Sequence, residues 1–158
     1  MKTYILETEI GHIEIKGTAA SLCSIQFLET TSETLTSKIP PCLKTIVSQL
    51  QEYFAGTRTE FDVTLSPDGT AFQKKVWEQL QTIPFGKTVS YQKVANDLGD
   101  PKVIRAAASA NAKNPIVIVI PCHRVIGSDG KLTGYSGGLH RKKWLLEQES
   151  PVTQGKLF

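Results

Sequence analysis

Along the chain the spacing of apolar residues changes once, from mostly alternating to mostly helical. Residues 3–7, 12–16 and 22–28 predict short strands. His12-Ile-Glu-Ile-Lys16 and Ser24-Ile-Gln-Phe-Leu28 place apolar and polar side chains alternately, as a half-buried strand does. Gly11 marks a turn between the first two, and Thr30–Lys38 reads as a polar loop. Pro40 and Pro41 open a helix, along which Leu43, Ile46, Val47, Leu50, Tyr53 and Phe54 recur at spacings of three and four. Gly56 ends it. Phe61, Val63 and Leu65 alternate again and predict a further strand. The cluster Ser66-Pro-Asp-Gly69 marks a turn and a module boundary.

Beyond the boundary the period is that of a helix. Thr70 is placed to cap a helix with Phe72, Val76, Leu80 and Ile83 on one face, broken at Pro84-Phe-Gly86. Ser90 caps a short helix from Tyr91 to Leu98, with Gly99 at its end. Asp100-Pro101 starts another, running toward Lys113 and stopped by Asn114-Pro115. Ile116–Ile120, the longest apolar run, predicts a buried strand or extended core segment. A glycine-rich loop covers Gly127–Gly138, and Leu139–Glu149 predicts a closing helix. The fold class is therefore α+β, with module 1–69 ahead of a mainly helical domain 70–158.

Composition adds exclusions. The sequence has 158 residues, 40% of them apolar, enough for a real core but with no run of about 18 apolar residues that could span a membrane. No signal-peptide pattern opens the chain, so a cytoplasmic location is expected. Three widely spaced cysteines, Cys23, Cys42 and Cys122, make neither a disulfide framework nor a zinc site, so no metal is expected. The net charge of +3 is unevenly spread. Residues 1–69 hold five Lys/Arg against nine Asp/Glu, and residues 70–158 hold thirteen against six. The second part is the one suited to a polyanion.

Two features of that part carry chemistry. The capped helices joined at Leu98-Gly-Asp-Pro101 have the outline of a helix-turn-helix, or of a plain helical hairpin. The second begins Lys102-Val-Ile-Arg105 and continues with alanines, which allow close backbone approach to a narrow groove. The other feature is Ile120-Pro-Cys-His-Arg-Val125. A thiolate is a strong nucleophile, and adjacent cations lower a thiol's pKa. His123 is the candidate base and Arg124 a local positive charge. Neighbours in an extended chain point apart, so Cys122 and His123 need a turn or a bridging water to couple. Glu147 or Glu149 could orient the imidazole. A buried structural cysteine is the other reading of the same residues.

Pro121-Cys-His-Arg-Val125 resembles the active-site motif of the O6-alkylguanine-DNA alkyltransferases. Phe72-Gln73, Val76-Trp77, Ile83-Pro84, Ser90-Tyr91, Gly99, Arg105-Ala106, Asn114-Pro115, Gly134-Tyr135, Gly137-Gly138, Lys142, Leu145-Leu146 and Glu149 fall at the same family's spacings, over about residues 70–149. The resemblance implies a ribonuclease-H-like N-terminal module and a C-terminal domain with a helix-turn-helix. It implies direct-reversal repair: base flipping, then irreversible single-turnover transfer of an alkyl group from O6-alkylguanine in double-stranded DNA to Cys122. In the roles it implies, His123 deprotonates Cys122 through a water, Glu149 holds His123, and Asn114 braces the turn. Tyr91 would protonate the departing guanine, and Arg105 would fill the gap in the base stack with Ala106 beside it. Val125, Tyr135 and Ser136 would contact the base. No cofactor is needed, O4-alkylthymine is left open as a substrate, and a monomer is expected.

The sequence departs from the family pattern where Arg105-Ala-Ala-Ala108 replaces Arg-Ala-Val-Gly, where Ala112 replaces a usual glycine, and where Val103-Ile104 replace smaller residues. Two other classes of function compete. A damage-binding relative without transfer would lack the cysteine. A cysteine hydrolase would need neither the paired helices nor the basic half, and would turn over many times per chain.

Overall fold

The computed structural model describes residues 1–29 and 38–150. The expected polar loop therefore lies largely outside the described residues. The chain divides into two compact units, Met1–Asp68 and Gly69–Phe158.

In the first unit, β1 (Lys2–Thr8), β2 (Gly11–Gly17) and β3 (Leu22–Phe27) form an antiparallel sheet in the order β1-β2-β3. Gly11 takes φ 108°, the left-handed region that makes the β1–β2 turn cheap for glycine. The alternation buries Leu6, Ile13 and Ile15, and Leu22 and Ile25 of β3 are buried with them on either side of a register shift in the β2–β3 pairing. A 3-10 turn, Pro41–Leu43, leads into α1 (Lys44–Phe54), whose Ile46, Val47, Leu50, Tyr53 and Phe54 are also buried. The helix stops where Gly56 takes φ 82°.

The strand expected at Phe61–Leu65 does not form. Its alternate burial is present, but only Leu65 bridges the sheet, through Leu22. The backbone of Asp62 pairs with a side chain instead. The Gln49 amide donates to the Asp62 carbonyl at 3.2 Å and accepts from its N–H at 2.9 Å. A glutamine clamp from α1 thus satisfies groups that a ladder would otherwise use.

The second unit is mainly helical: α2 (Ala71–Leu80), α3 (Tyr91–Asp97), α4 (Ile104–Ala112) and α5 (Leu139–Glu149). A short parallel pair, β4 (Val89–Ser90) with β5 (Val125–Ile126), ties the start of α3 to the Cys-His-Arg segment. Two residues per strand leave too little pattern to read from sequence. Thr70 and Gln73 make a reciprocal capping box on α2. Trp77 is buried and donates from Nε1 to the Ala110 carbonyl at 2.9 Å, locking α2 to α4. Ser90 caps α3 through Lys93 N–H, and Gly99 turns the chain at φ 97°. Asp100 caps a 3-10 turn, Pro101–Val103, that runs into α4.

Ile116, Val117, Ile118 and Ile120 are buried as expected, with Val119 half-buried, but the segment is neither strand nor extended. Ile118 takes φ 74°, and Val119 N–H closes a tight turn onto the Val117 carbonyl at 2.9 Å. Positive φ is costly for a β-branched residue, by about 1–3 kcal/mol, and persists only where the surroundings enforce it. The enforcing groups are in place: Ile120 N–H bonds the Ile116 carbonyl, and the Asn114 side chain holds Ile116 N–H and the Ile120 carbonyl at 2.9 and 2.7 Å. Among the described residues no helix is long and apolar enough to cross a membrane. Cys23 and Cys42 are half-buried free thiols of the first unit.

Candidate active site

The nucleophile candidate sits at the end of this strained turn. Pro121 lies at φ −82°, ψ 63°, and Cys122 N–H closes back onto the Ile120 carbonyl at 2.8 Å. A single 3-10 turn, Cys122–Arg124, follows. It supplies the bend that Cys122 and His123 require to cooperate. Cys122 is 2% exposed and His123 fully buried.

His123 Nε2 lies 2.7 Å from Glu149 Oε2. Arg124 closes on the same carboxylate, Nε to Oε1 at 2.7 Å and Nη2 to Oε2 at 3.1 Å. Its Nη1 donates to the Ile83 carbonyl at 2.7 Å, and the guanidinium lies 5.9 Å from the Phe85 ring centre. Burial pushes the Glu149 carboxyl up. The charge and hydrogen bond of His123, with those of Arg124, outweigh burial and hold it down at about 2. Glu149 is thus an anion that can only accept, so the ring hydrogen belongs on Nε2. In the uncharged ring Nδ1 is then the lone-pair nitrogen, buried and with no hydrogen-bond partner among the described residues.

Of the two expected orienting carboxylates, Glu149 is the one in place; Glu147 pairs with Lys143 on the helix surface. Arg124 corrects an expectation as well. Its charge is spent on Glu149, and the cation whose field favours the Cys122 anion is Lys142. Nor is the thiol acidic. Burial pushes it from 9.0 to about 11, against hydrogen bonds from Asn114, its own backbone and Tyr135 and the charge of Lys142.

The same burial acts on Lys142, whose pKa falls to about 8 although Cys122 pulls it up. Its Nζ donates to the carbonyls of Val125 at 2.7 Å, Thr133 at 2.7 Å and Gly134 at 3.4 Å. Lys142 thereby straps the 133–134 loop to the residue that follows the Cys-His-Arg turn. Tyr91, the first residue of α3, donates from its hydroxyl to the Thr133 carbonyl at 3.4 Å. Tyr135 is half-buried with its hydroxyl inside, and burial with the Cys122 charge holds its pKa well above the usual value. Ser136 is exposed. The structure therefore gathers Cys122, His123, Glu149, Asn114 and Tyr135, with Val125 adjoining and Tyr91 reaching the loop.

Arg105 and Ala106 lie elsewhere, on the outer face of α4. Lys102, Arg105, Ala106 and Ser109 are exposed, while Ala107, Ala110 and Asn111 are buried. The outer face is small and basic, with the arginine projecting from alanines and a serine.

Two family models account for nearly all of the chain. Residues 1–67 match the 6-O-methylguanine DNA methyltransferase ribonuclease-like domain, and residues 71–151 match the DNA-binding domain of the same family. The methylated-DNA–protein-cysteine methyltransferase of Mycobacterium tuberculosis is 47% identical over 91% of this chain and 89% of its own. That of Methanosarcina barkeri is 44% identical over 92% and 94%. The chain belongs to the methylated-DNA–protein-cysteine methyltransferase family.

Solved structures agree. Mycobacterium tuberculosis OGT in complex with DNA superposes with a TM-score of 0.84 at 47% identity, covering 93% of this chain and 91% of that one. The Mycobacterium tuberculosis O6-methylguanine methyltransferase gives 0.83 at 46% identity, over 93% and 91%. Within this methyltransferase fold, sequence reasoning gave Lys142 no part in the site. Only the resemblance marked it, because a lysine in a polar helix normally reads as solvated surface.

Proposed function

We propose that this protein repairs DNA by direct reversal, moving the alkyl group of O6-alkylguanine in duplex DNA onto Cys122 in one irreversible turnover. The observation that carries this reading is the buried Cys122 beside a histidine fixed by an ionised Glu149. The His123 Nδ1 lone pair takes the Cys122 proton through a bridging water. The thiolate attacks the alkyl carbon, the carbon–O6 bond breaks, and its electron pair stays with guanine. Guanine then gains a proton, supplied by the Tyr91 hydroxyl. The product is a thioether, too stable to return the group, so one chain repairs one lesion.

A base stacked in a duplex cannot reach a buried sulfur, so the nucleotide is first everted. We assign α3, the Gly99 turn and α4 the role of a DNA-binding helix-turn-helix, with residues 70–158 as the DNA-binding and acceptor domain and 1–69 as the N-terminal module. The exposed Arg105 fills the stack the base leaves, and Ala106 and Ser109 let the helix approach closely. Val125, Tyr135 and Ser136 border the everted base, and Asn114 braces the turn behind the sulfur. DNA repair of this kind needs no added cofactor, and the protein acts as a cytoplasmic monomer.

The direct test is mass spectrometry of the Cys122 peptide after incubation with duplex DNA carrying O6-methylguanine. It should gain one methyl group per chain and no more with excess substrate. An unchanged peptide, or many products per chain, defeats the reading. Arg105→Ala should slow repair of duplex DNA roughly tenfold or more yet leave reaction with free O6-benzylguanine within about twofold, since only a duplex has a gap to fill. Equal losses on both would remove Arg105 from that role.

A further inference from the structure

We propose that Asn111 is a specificity-determining residue of the site, its buried Oδ1 accepting the exocyclic 2-amino group of the everted O6-alkylguanine. This inference deepens the alkyl-transfer reading and rests on it.

Asn111 stands on the inner face of α4, 5% exposed. Its Nδ2 donates to the main-chain carbonyl of Cys122 at 3.5 Å, so the amide lies against the peptide of the nucleophile itself. Its Oδ1 is buried and has no hydrogen-bond partner among the described residues. Asn114, one turn further along, is different: its donor holds the Ile120 carbonyl and its oxygen accepts from Ile116 N–H. One amide is consumed by bracing the turn, and the other keeps an acceptor in reserve next to the sulfur-bearing residue.

An unmatched buried acceptor costs stability, and alanine or leucine would suit a buried helical position better. Such a group calls for an explanation, and a ligand that brings a donor is one. The chemistry of the lesion narrows that donor. Alkylation at O6 fixes guanine in the form that has lost its N1 hydrogen. N1, N3 and N7 then only accept, and the 2-amino group is the one N–H donor left on the base. O4-alkylthymine has lost its N3 hydrogen in the same way and retains no donor. A lone acceptor beside Cys122 therefore favours alkylated guanine over alkylated thymine, by pairing with the first and staying unpaired with the second.

Single-turnover rates on duplexes carrying O6-methylguanine or O6-methylhypoxanthine, which differ only in the 2-amino group, test this. The wild-type protein should prefer O6-methylguanine about tenfold, the scale of one buried hydrogen bond. In Asn111→Leu the preference should shrink toward unity, chiefly through a slower reaction with O6-methylguanine. Thermal unfolding checks that the variant is folded, and Asn111→Ala, which removes the acceptor without added bulk, should give the same collapse. An undiminished preference in either folded variant, equal losses on both duplexes, or a wild-type protein indifferent to the 2-amino group would overturn the assignment. If neither duplex alkylates Cys122 in the wild-type protein, the alkyl-transfer reading fails and this inference with it, a result distinct from the other three.

Discussion

Glu149→Ala should lower the stability of the protein by about 3–5 kcal/mol, because it strips a buried ion cluster of its one anion. Two cationic or cation-forming groups, His123 and Arg124, converge on that carboxylate, and it is 2% exposed. Removing it leaves a guanidinium buried against Phe85 and the Ile83 carbonyl with no counter-charge. The thermal midpoint should fall on the order of 10 °C. Glu149→Gln should cost less, since an amide oxygen still accepts. The pH dependence has a definite sign. The carboxyl titrates near 4.5 when unfolded and near 2 when folded, so the folded state holds the anion more firmly. Its contribution, about 3 kcal/mol, is complete above pH 4.5 and drains away as pH falls toward 2. Denaturant titrations of wild type and Glu149→Gln at stepped pH check this: the two curves should converge in acid. Curves that stay parallel would mean that the carboxylate does not carry the linkage.

The strands and helices with a clean period were legible in the sequence, as were the caps at Thr70, Ser90 and Asp100. Legibility failed where a side chain replaced a backbone partner. Phe61–Leu65 alternates like a strand, yet the Gln49 amide takes the hydrogen bonds of Asp62. Ile116–Ile120 has strand composition, yet Asn114 and a left-handed Ile118 fold it into turns. Long-range pairings of this kind leave no periodic trace. At the site, the motif offered Cys122 and His123 as candidates and left the carboxylate open between Glu147 and Glu149, of which the fold brings Glu149 to the imidazole; electrostatic reasoning from neighbours along the chain misdirected Arg124. Adjacency in sequence suggested that it would acidify the thiol; the fold turns it toward Glu149 and supplies Lys142 from 20 residues away. The competition between burial and charge at Cys122 needs the depth of the sulfur, which no pattern records.

His123→Gln should slow alkyl transfer at pH 7 by about 10²–10⁴, and raising the pH should recover much of the loss. With the Cys122 thiol pushed up to about 11, only about one molecule in 10⁴ carries the thiolate at pH 7 without help. A nucleophile that is stored protonated must be deprotonated on demand. In the proposed mechanism His123 does this, with Glu149 stabilising the imidazolium that forms. Glutamine can still donate to Glu149 but cannot take a proton. The variant must then wait for thiolate made by hydroxide, so its rate should climb about tenfold per pH unit between 7.5 and 9.5. The wild-type profile should be much flatter over that range. The window stops there for a reason of linkage: the folded thiol titrates above the unfolded value of 9.0, so burying it stabilises the fold below pH 9 and that stabilisation is lost on the way to 11. Cys122→Ala, which should transfer nothing at any pH while still binding DNA, sets the baseline. Parallel pH profiles for wild type and His123→Gln would show that the proton leaves by another route. A steep variant beside a flat wild type would assign the base to His123 and explain why a buried, weakly acidic thiol can be the reactive one.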